Sequence, residues 1–207
     1  QDLVKKVTTP TPYVWQEQGK FNIVVVDCGV KFSILRELAK RNCRVVVYPA
    51  TSSAEEIREE RPQGVVISNG PGDPATLSYL VELVRKIMGE IPILGICIGH
   101  QIMAQAVGGK TFKLKFGHHG ANHPVKDLRS GWVAVTTQNH GFVVDPDTLP
   151  PEIEITHINL NDFTLEGMRH KHLPFFSVQF HPEAHPGPHD TNYLFDEFIK
   201  MVEDNLG

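Results

Sequence analysis

Cys97 stands in the run Gly95-Ile96-Cys97-Ile98-Gly99, between the apolar segment IPILGI and the apolar-periodic segment IGHQIMAQAV. A nucleophile flanked in this way at a strand-to-helix turn is the G-x-nucleophile-x-G elbow, with cysteine in the serine place. The glycines matter because the turn is tight, and a side chain at either would crowd the strand or the helix. The turn lifts the sulfur to the start of a helix. There unpaired amides and the helix dipole favour thiolate, lowering a pKa of ~8.5 in free cysteine. The Ile98 N–H then points toward an oxyanion on any carbonyl that Cys97 attacks. The competing reading of a cysteine is a small buried packing residue, and Cys28 and Cys43, which end one apolar run and start another, fit that reading.

A thiolate nucleophile needs a base and a group to orient that base. Phe180-His181-Pro182-Glu183 directly follows the apolar run PFFSVQF. Pro182 biases His181 to extended geometry, and residues two apart in extended chain face the same side. Glu183 can therefore approach the His181 imidazole, fix its tautomer and support the imidazolium. Among 11 histidines most must have surface or capping roles, so a His-Pro-Glu leaving a buried strand is a better candidate than its neighbours.

A third segment, Ser68-Asn69-Gly70-Pro71-Gly72-Asp73-Pro74, follows another apolar run. Two glycines and two prolines make a rigid turn whose amides are available to a ligand. Two readings stand: an ordinary strand-to-helix connection, or a second oxyanion donor at the Gly72 N–H with part of a substrate pocket. The segment lacks the GK[ST] ending of a phosphate loop. Metal chemistry is not expected. His181, His185 and His189 recur every four residues, but Pro182, Pro186 and Pro188 forbid the helix that would align them. His118, His119 and His123 cluster without a recognised ligand pattern, and HPEAH places its glutamate wrongly for a zinc protease.

The elements that must position these groups are legible in the hydrophobic rhythm. FNIVVVD, CRVVVYP, GVVIS and IPILGI read as buried strands, separated by amphipathic helices over KFSILRELAKRN, SSAEEIREERP and TLSYLVELVRKIM, then IGHQIMAQAV. Ser53 and Glu56 form a capping-box signature. Short β-branched runs alternating with helices indicate βαβ units, a mostly parallel open sheet and helices on both faces. The second half is strand-rich, with KTFKLKF, WVAVTTQ, IEITHINL, TLEGMRH and PFFSVQF spaced by turn residues, so antiparallel hairpins are expected. A closing helix places residues 194, 195, 198, 199, 202 and 206 on one face. Residues 1–20 are polar, carry two prolines and show no period. They read as a linker into one domain over 21–207.

The chain of 207 residues has a formal net charge of −4 and no basic excess, so nucleic acid is not an expected partner. No run approaches the ~20 apolar residues of a membrane span. An odd count of three cysteines without a CxxC pair fits a reducing compartment, and the expected location is cytoplasmic.

Taken together, GICIGHQ, SNGPGDP and QFHPE resemble the nucleophile, oxyanion-side and His/Glu motifs of the class I (triad) glutamine amidotransferases. The resemblance runs from about Phe21 to the end, and it implies a flavodoxin-like fold. FGHHGANHPV, TTQNHGF and HPEAHPGPHD resemble the carbamoyl-phosphate synthetase branch of that family. By this resemblance Cys97 is the nucleophile, His181 the general base and acid, and Glu183 the orienting carboxylate. Gly70 and Gly72 match glutamine-contact glycines, and Ile98 and Gln101 the substrate contacts after the nucleophile. Asn139, Gly141 and Phe142 match the strip that pairs with the amino-acid end of glutamine. The resemblance further implies that ammonia released from L-glutamine passes to a large synthetase subunit, where ATP, magnesium and bicarbonate are used. No nucleotide motif occurs in this chain, so no cofactor is expected on it. Carbamoyl phosphate made there would feed arginine and pyrimidine synthesis. The same resemblance implies that the small subunit or fused region of this branch carries an additional amino-terminal domain, from which residues 1–20 are expected to be the linker. Two rival readings remain: a cysteine hydrolase such as a γ-glutamyl peptidase, and a catalytically idle module that docks a partner.

Overall fold

The computed structural model describes residues 1–184 and 191–207. Its centre is five parallel strands built from the apolar runs: β2 (Phe21–Asp27), β3 (Cys43–Pro49), β4 (Gly64–Ile67), β5 (Ile93–Ile96) and β10 (Phe175–Val178). They lie in the order β3-β2-β4-β5-β10, with every neighbouring pair parallel. This is the flavodoxin-type arrangement, in which a ligand crevice forms outside the carboxyl ends of the strands.

Strand alternation sorts side chains between two cores. From β2, Val24 and Val26 enter one core, and Ile23 and Val25 enter the other. The first core is closed by α3 (Ala54–Glu59), α4 (Ser78–Ile87) and α5 (Ile98–Ala106), and the second by α2 (Phe32–Ala39) and α6 (Tyr193–Leu206). The expected capping box holds: Ser53 Oγ accepts from the Glu56 N–H at 3.1 Å, and the Ser53 N–H donates to Glu56 Oε1 at 3.1 Å. On α6, residues 194, 195, 198, 199 and 202 are buried as the period predicts, but Leu206 in the last turn is exposed.

Beyond β10 the sheet turns antiparallel through β9 (Leu165–His170), β8 (Ile153–Asn159), β6 (Lys110–Asp127) and β7 (Val133–Asp145). β6 and β7 run much further than their apolar segments. FGHHGANHPV continues β6, and NHGFVVD continues β7. Glycines and histidines break the alternation there, and the ladder accommodates them by register shifts between Lys113 and His118 and between Gly120 and His123.

Residues 1–20, expected as a linker, carry two short elements. α1 (Val4–Val7) buries Val4 completely, and β1 (Tyr13–Gln16) pairs antiparallel with the outer edge of β3. Thr8 Oγ1 donates to the Asp27 carbonyl at 2.6 Å, and the Thr9 N–H donates to Asp27 Oδ2 at 2.8 Å. Elements of four residues each, tied in by a strand ladder and long-range bonds, are too short to show a hydrophobic period.

Candidate active site

The chain bends sharply where β5 meets α5. Cys97 has φ 56° and ψ −108°, a left-sided conformation strained for any residue with a side chain. The surroundings enforce it. A Cβ on Gly95 would come within 2.4 Å of Met103 Sδ, and one on Gly99 within 2.1 Å of the Ile67 carbonyl oxygen. The Cys97 N–H donates to the Val178 carbonyl at 2.9 Å, tying the elbow to β10. Ile98 is the first residue of α5, so its N–H has no acceptor inside the helix.

His181 leaves β10 on the adjacent strand, its N–H bonded to the Thr137 carbonyl at 3.0 Å. Its Nδ1 lies 2.8 Å from Glu183 Oε1, and Glu183 is fully buried. Burial alone would lower the imidazole pKa. Hydrogen bonds to Cys97 and to Glu183 outweigh that effect and hold it up to about 9. Cys97, His181 and Glu183 are thus linked in one hydrogen-bonded chain, with His181 in the middle.

These groups face a cavity of about 530 Å³ at the carboxyl ends of the parallel strands. Cys97 and His181 line it, as do Gly70, Gly72, Ile98, Gln101, Asn139, Gly141 and Phe142. Every substrate-side residue singled out in the sequence therefore reaches one pocket, while Glu183 sits behind His181. Gly70 is packed so closely that a Cβ would meet the Cys28 carbonyl oxygen at 2.0 Å, whereas Gly72 takes φ 96° and a Cβ there would meet the Leu3 side chain at an ordinary 3.5 Å. Cys28 and Cys43 are buried in the two cores, and burial pushes both thiols up, Cys43 to about 12. They are packing residues.

Sequence reasoning missed several neighbours. Lys31, Asn69, His119 and His140 also line the cavity. Gln179, fully buried, brings Nε2 to 3.7 Å from Cys97 Sγ, while its Oε1 accepts from Gln101 Nε2 at 3.0 Å. Gln101 Nε2 also donates to the Phe142 carbonyl at 2.9 Å. Position two before His181 on an alternating strand was the available signal for Gln179. His185 and His189 lie outside the described residues.

A cysteine elbow and a buried His–Glu pair at the carboxyl edge of an open parallel sheet have the parts needed for nucleophilic acyl transfer. The chain belongs to the class I glutamine amidotransferase family, whose model, Glutamine amidotransferase class-I, matches residues 24–201. Carbamoyl phosphate synthase small chain from Archaeoglobus fulgidus is 54% identical over 203 residues, 98% of this chain and 57% of that protein. The protein of the same name from Akkermansia muciniphila is 57% identical over 184 residues, 89% of this chain and 50% of that protein. The chain thus spans little more than half the length of these relatives. Among solved structures, a Thermoplasma acidophilum protein described as part of a GMP synthase superposes with a TM-score of 0.78 at 24% identity, covering 89% of this chain and 95% of that one. A glutamine amidotransferase from Thermotoga maritima gives 0.65 at 18% identity, covering 90% and 86%. Both support the fold.

Proposed function

We propose that this chain is the glutaminase domain of a glutamine-hydrolysing carbamoyl phosphate synthase. The observation that carries the reading is Cys97, strained at the start of α5, sharing one pocket with His181. The relatives' name supplies the pathway. The Cys97 thiolate attacks the side-chain amide carbon of glutamine, and the carbonyl π pair moves onto oxygen. The N–H groups of Ile98 and Gly72 stabilise that charge, each worth about 3 kcal/mol by analogy with measured oxyanion donors. His181, protonated, gives its proton to the departing nitrogen, and ammonia leaves as the C–N bond breaks. His181 then takes a proton from water, hydroxide attacks the thioester, and glutamate departs with Cys97 restored. Glu183 keeps the imidazole in one tautomer throughout. Gly70, Gln101, Asn139, Gly141 and Phe142 hold the substrate.

Ammonia would pass to a large synthetase subunit, which would bind ATP and magnesium, and carbamoyl phosphate would serve arginine and pyrimidine synthesis. A cytoplasmic setting agrees with three free, buried cysteines. Among the described residues no helix is long and apolar enough to cross a membrane. Ammonia release from glutamine by the chain with the large subunit of a close relative tests the reading. Activity should fall by a factor on the order of 10⁴ or more in Cys97→Ser. Near-normal release by that variant would refute the mechanism, and release from γ-glutamyl peptides in preference to glutamine would favour a peptidase.

A further inference from the structure

Behind the pocket wall, three strands of the antiparallel half aim electron-pair donors at one buried point. His118 on β6 and His140 on β7 are directly paired in the ladder, and Glu166 comes from β9. His118 Nδ1 lies 3.3 Å from His140 Nε2 and 3.5 Å from Glu166 Oε1. The inward donor atoms of the three residues all fall within 4.8 Å of one another. Gln138 Oε1 joins them, 3.1 Å from His118 Nδ1 and 2.7 Å from His140 Nε2. All four residues are buried, and Glu166 completely so.

Counting protons shows why this centre is unusual. The Thr136 hydroxyl donates to the His123 carbonyl at 2.7 Å, so it must accept from Gln138 Nε2, which fixes Gln138 Oε1 inward. The other nitrogen of His140, Nδ1, is 2.9 Å from the Phe142 carbonyl, so its proton points outward. His118 Nε2 faces Asp162 Oδ2, so that nitrogen also carries a proton pointing outward. The only remaining ring proton directed inward is the one on His118 Nδ1. It faces three acceptors: His140 Nε2, Gln138 Oε1 and Glu166 Oε1. Asn159 Nδ2 reaches Glu166 Oε1 only at 3.4 Å, and Glu166 Oε2, fully buried, has no partner among the described residues. With Glu166 ionised, the lone pairs outnumber the protons here and leave an electron-rich hole.

A cation of the zinc class satisfies such a hole. Tetrahedral zinc with bonds of 2.0–2.1 Å separates its ligands by about 3.3 Å, and His118 Nδ1 stands 3.3 and 3.5 Å from its two would-be co-ligands. Zinc-binding histidines also present the second ring nitrogen to a carboxylate or a carbonyl. Asp162 and the Phe142 carbonyl stand in those places. We propose that His118, His140 and Glu166 form a binding site for a divalent transition-metal ion of the zinc class, with Gln138 Oε1 at the fourth position. Metal binding is not what the sequence predicts, because the histidine runs weighed there, His118-His119-His123 and the 181–189 series, share only His118 with this set. The ligands come instead from three strands and include a glutamate from a distant segment.

The site does not depend on the glutaminase reading, and binding is measured without turnover. Chelator-treated chain carrying Cys97→Ser, which removes the competing thiolate, would be titrated with Co²⁺ and followed by visible absorption. One equivalent giving the intense bands of a four-coordinate ion, displaced by Zn²⁺, is expected. Glu166→Gln, nearly isosteric, should abolish those bands while circular dichroism shows the fold intact. Asp162→Asn, which removes only the outer partner of His118, should weaken binding about 10- to 100-fold. The proposal is overturned if Co²⁺ stays six-coordinate at stoichiometric concentration, or if Glu166→Gln binds as the parent does. Should Glu166→Gln unfold, His118→Asn provides the same test.

Discussion

His181, His118, His100 and His140 share one side-chain type, yet their surroundings divide them into two opposed pairs. His181 and His118 sit beside carboxylates. His118 is held up to about 9 by its bond to Glu166, over the opposing effect of burial and with help from Asp162, and His181 reaches a similar value through Cys97 and Glu183. His100 and His140 are buried without such partners, and loss of solvation pushes each down to about 3. The two pairs act on stability with opposite sign. For the raised pair the folded state binds protons that the unfolded chain has released above its ordinary pKa of about 6.5. Their contribution is complete below that pH and is lost as pH rises through 9. For the lowered pair the unfolded chain binds protons that the folded state refuses, so their contribution is complete above about 6.5 and declines as pH falls toward 3. Melting temperature of the metal-free chain against pH should therefore peak near neutrality and fall on both sides. His100→Gln should flatten the acid limb between about pH 6.5 and 4, because among the described residues its buried Nε2 has no partner and only its Nδ1, 2.7 Å from Ser177 Oγ, needs replacing. A profile that rises steadily from pH 6.5 to 9 would contradict this assignment of charges.

The elbow between β5 and α5 sets the position of the Cys97 thiol, and one glycine of the elbow and one of the facing β7 wall separate packing from chemistry. Gly99 has no room: its Cβ would sit 2.1 Å from a backbone oxygen of β4, and backbone cannot step aside as a side-chain tip can. Gly141, on β7 at the pocket wall, has nothing within 4 Å of the same position and needs no positive φ. Gly99→Ala should destabilise the fold by about 1–3 kcal/mol or more. Gly141→Ala should change stability by less than about 0.5 kcal/mol while raising KM for glutamine, since the new methyl projects where substrate would lie. Urea unfolding and steady-state kinetics on the two variants read both effects. Equal loss of stability in both would show that the elbow is looser than described.

Across the whole molecule the parallel half supplies the chemistry, and the antiparallel half walls it in. The parallel half was readable because a strand buried on both faces is a continuous β-branched run, and VVV in β2 and β3 cannot be mistaken for a solvated helix. Cys97 was readable from its flanking glycines, and His181 with Glu183 from their separation by one proline, because each motif is local. What escaped lies in long-range pairing. The β6–β7 hairpin is cut by Gly117, Gly120 and Pro124, so its hydrophobic pattern stops well before its hydrogen bonds do. β1 is held at the edge of β3 by its antiparallel ladder, with Tyr13 and Trp15 only partly buried against the second core. The convergence of His118, His140 and Glu166 needs the ladder itself. The central claim is that Cys97 is the nucleophile for a glutamine side chain. Its most direct test is incubation with a glutamine-mimicking diazo-ketone, followed by location of the adduct by peptide mass, with and without the large subunit of a relative. The account predicts a single adduct on Cys97, prevented by excess glutamine. An adduct on Cys28 or Cys43, or none on Cys97 under either condition, would contradict it.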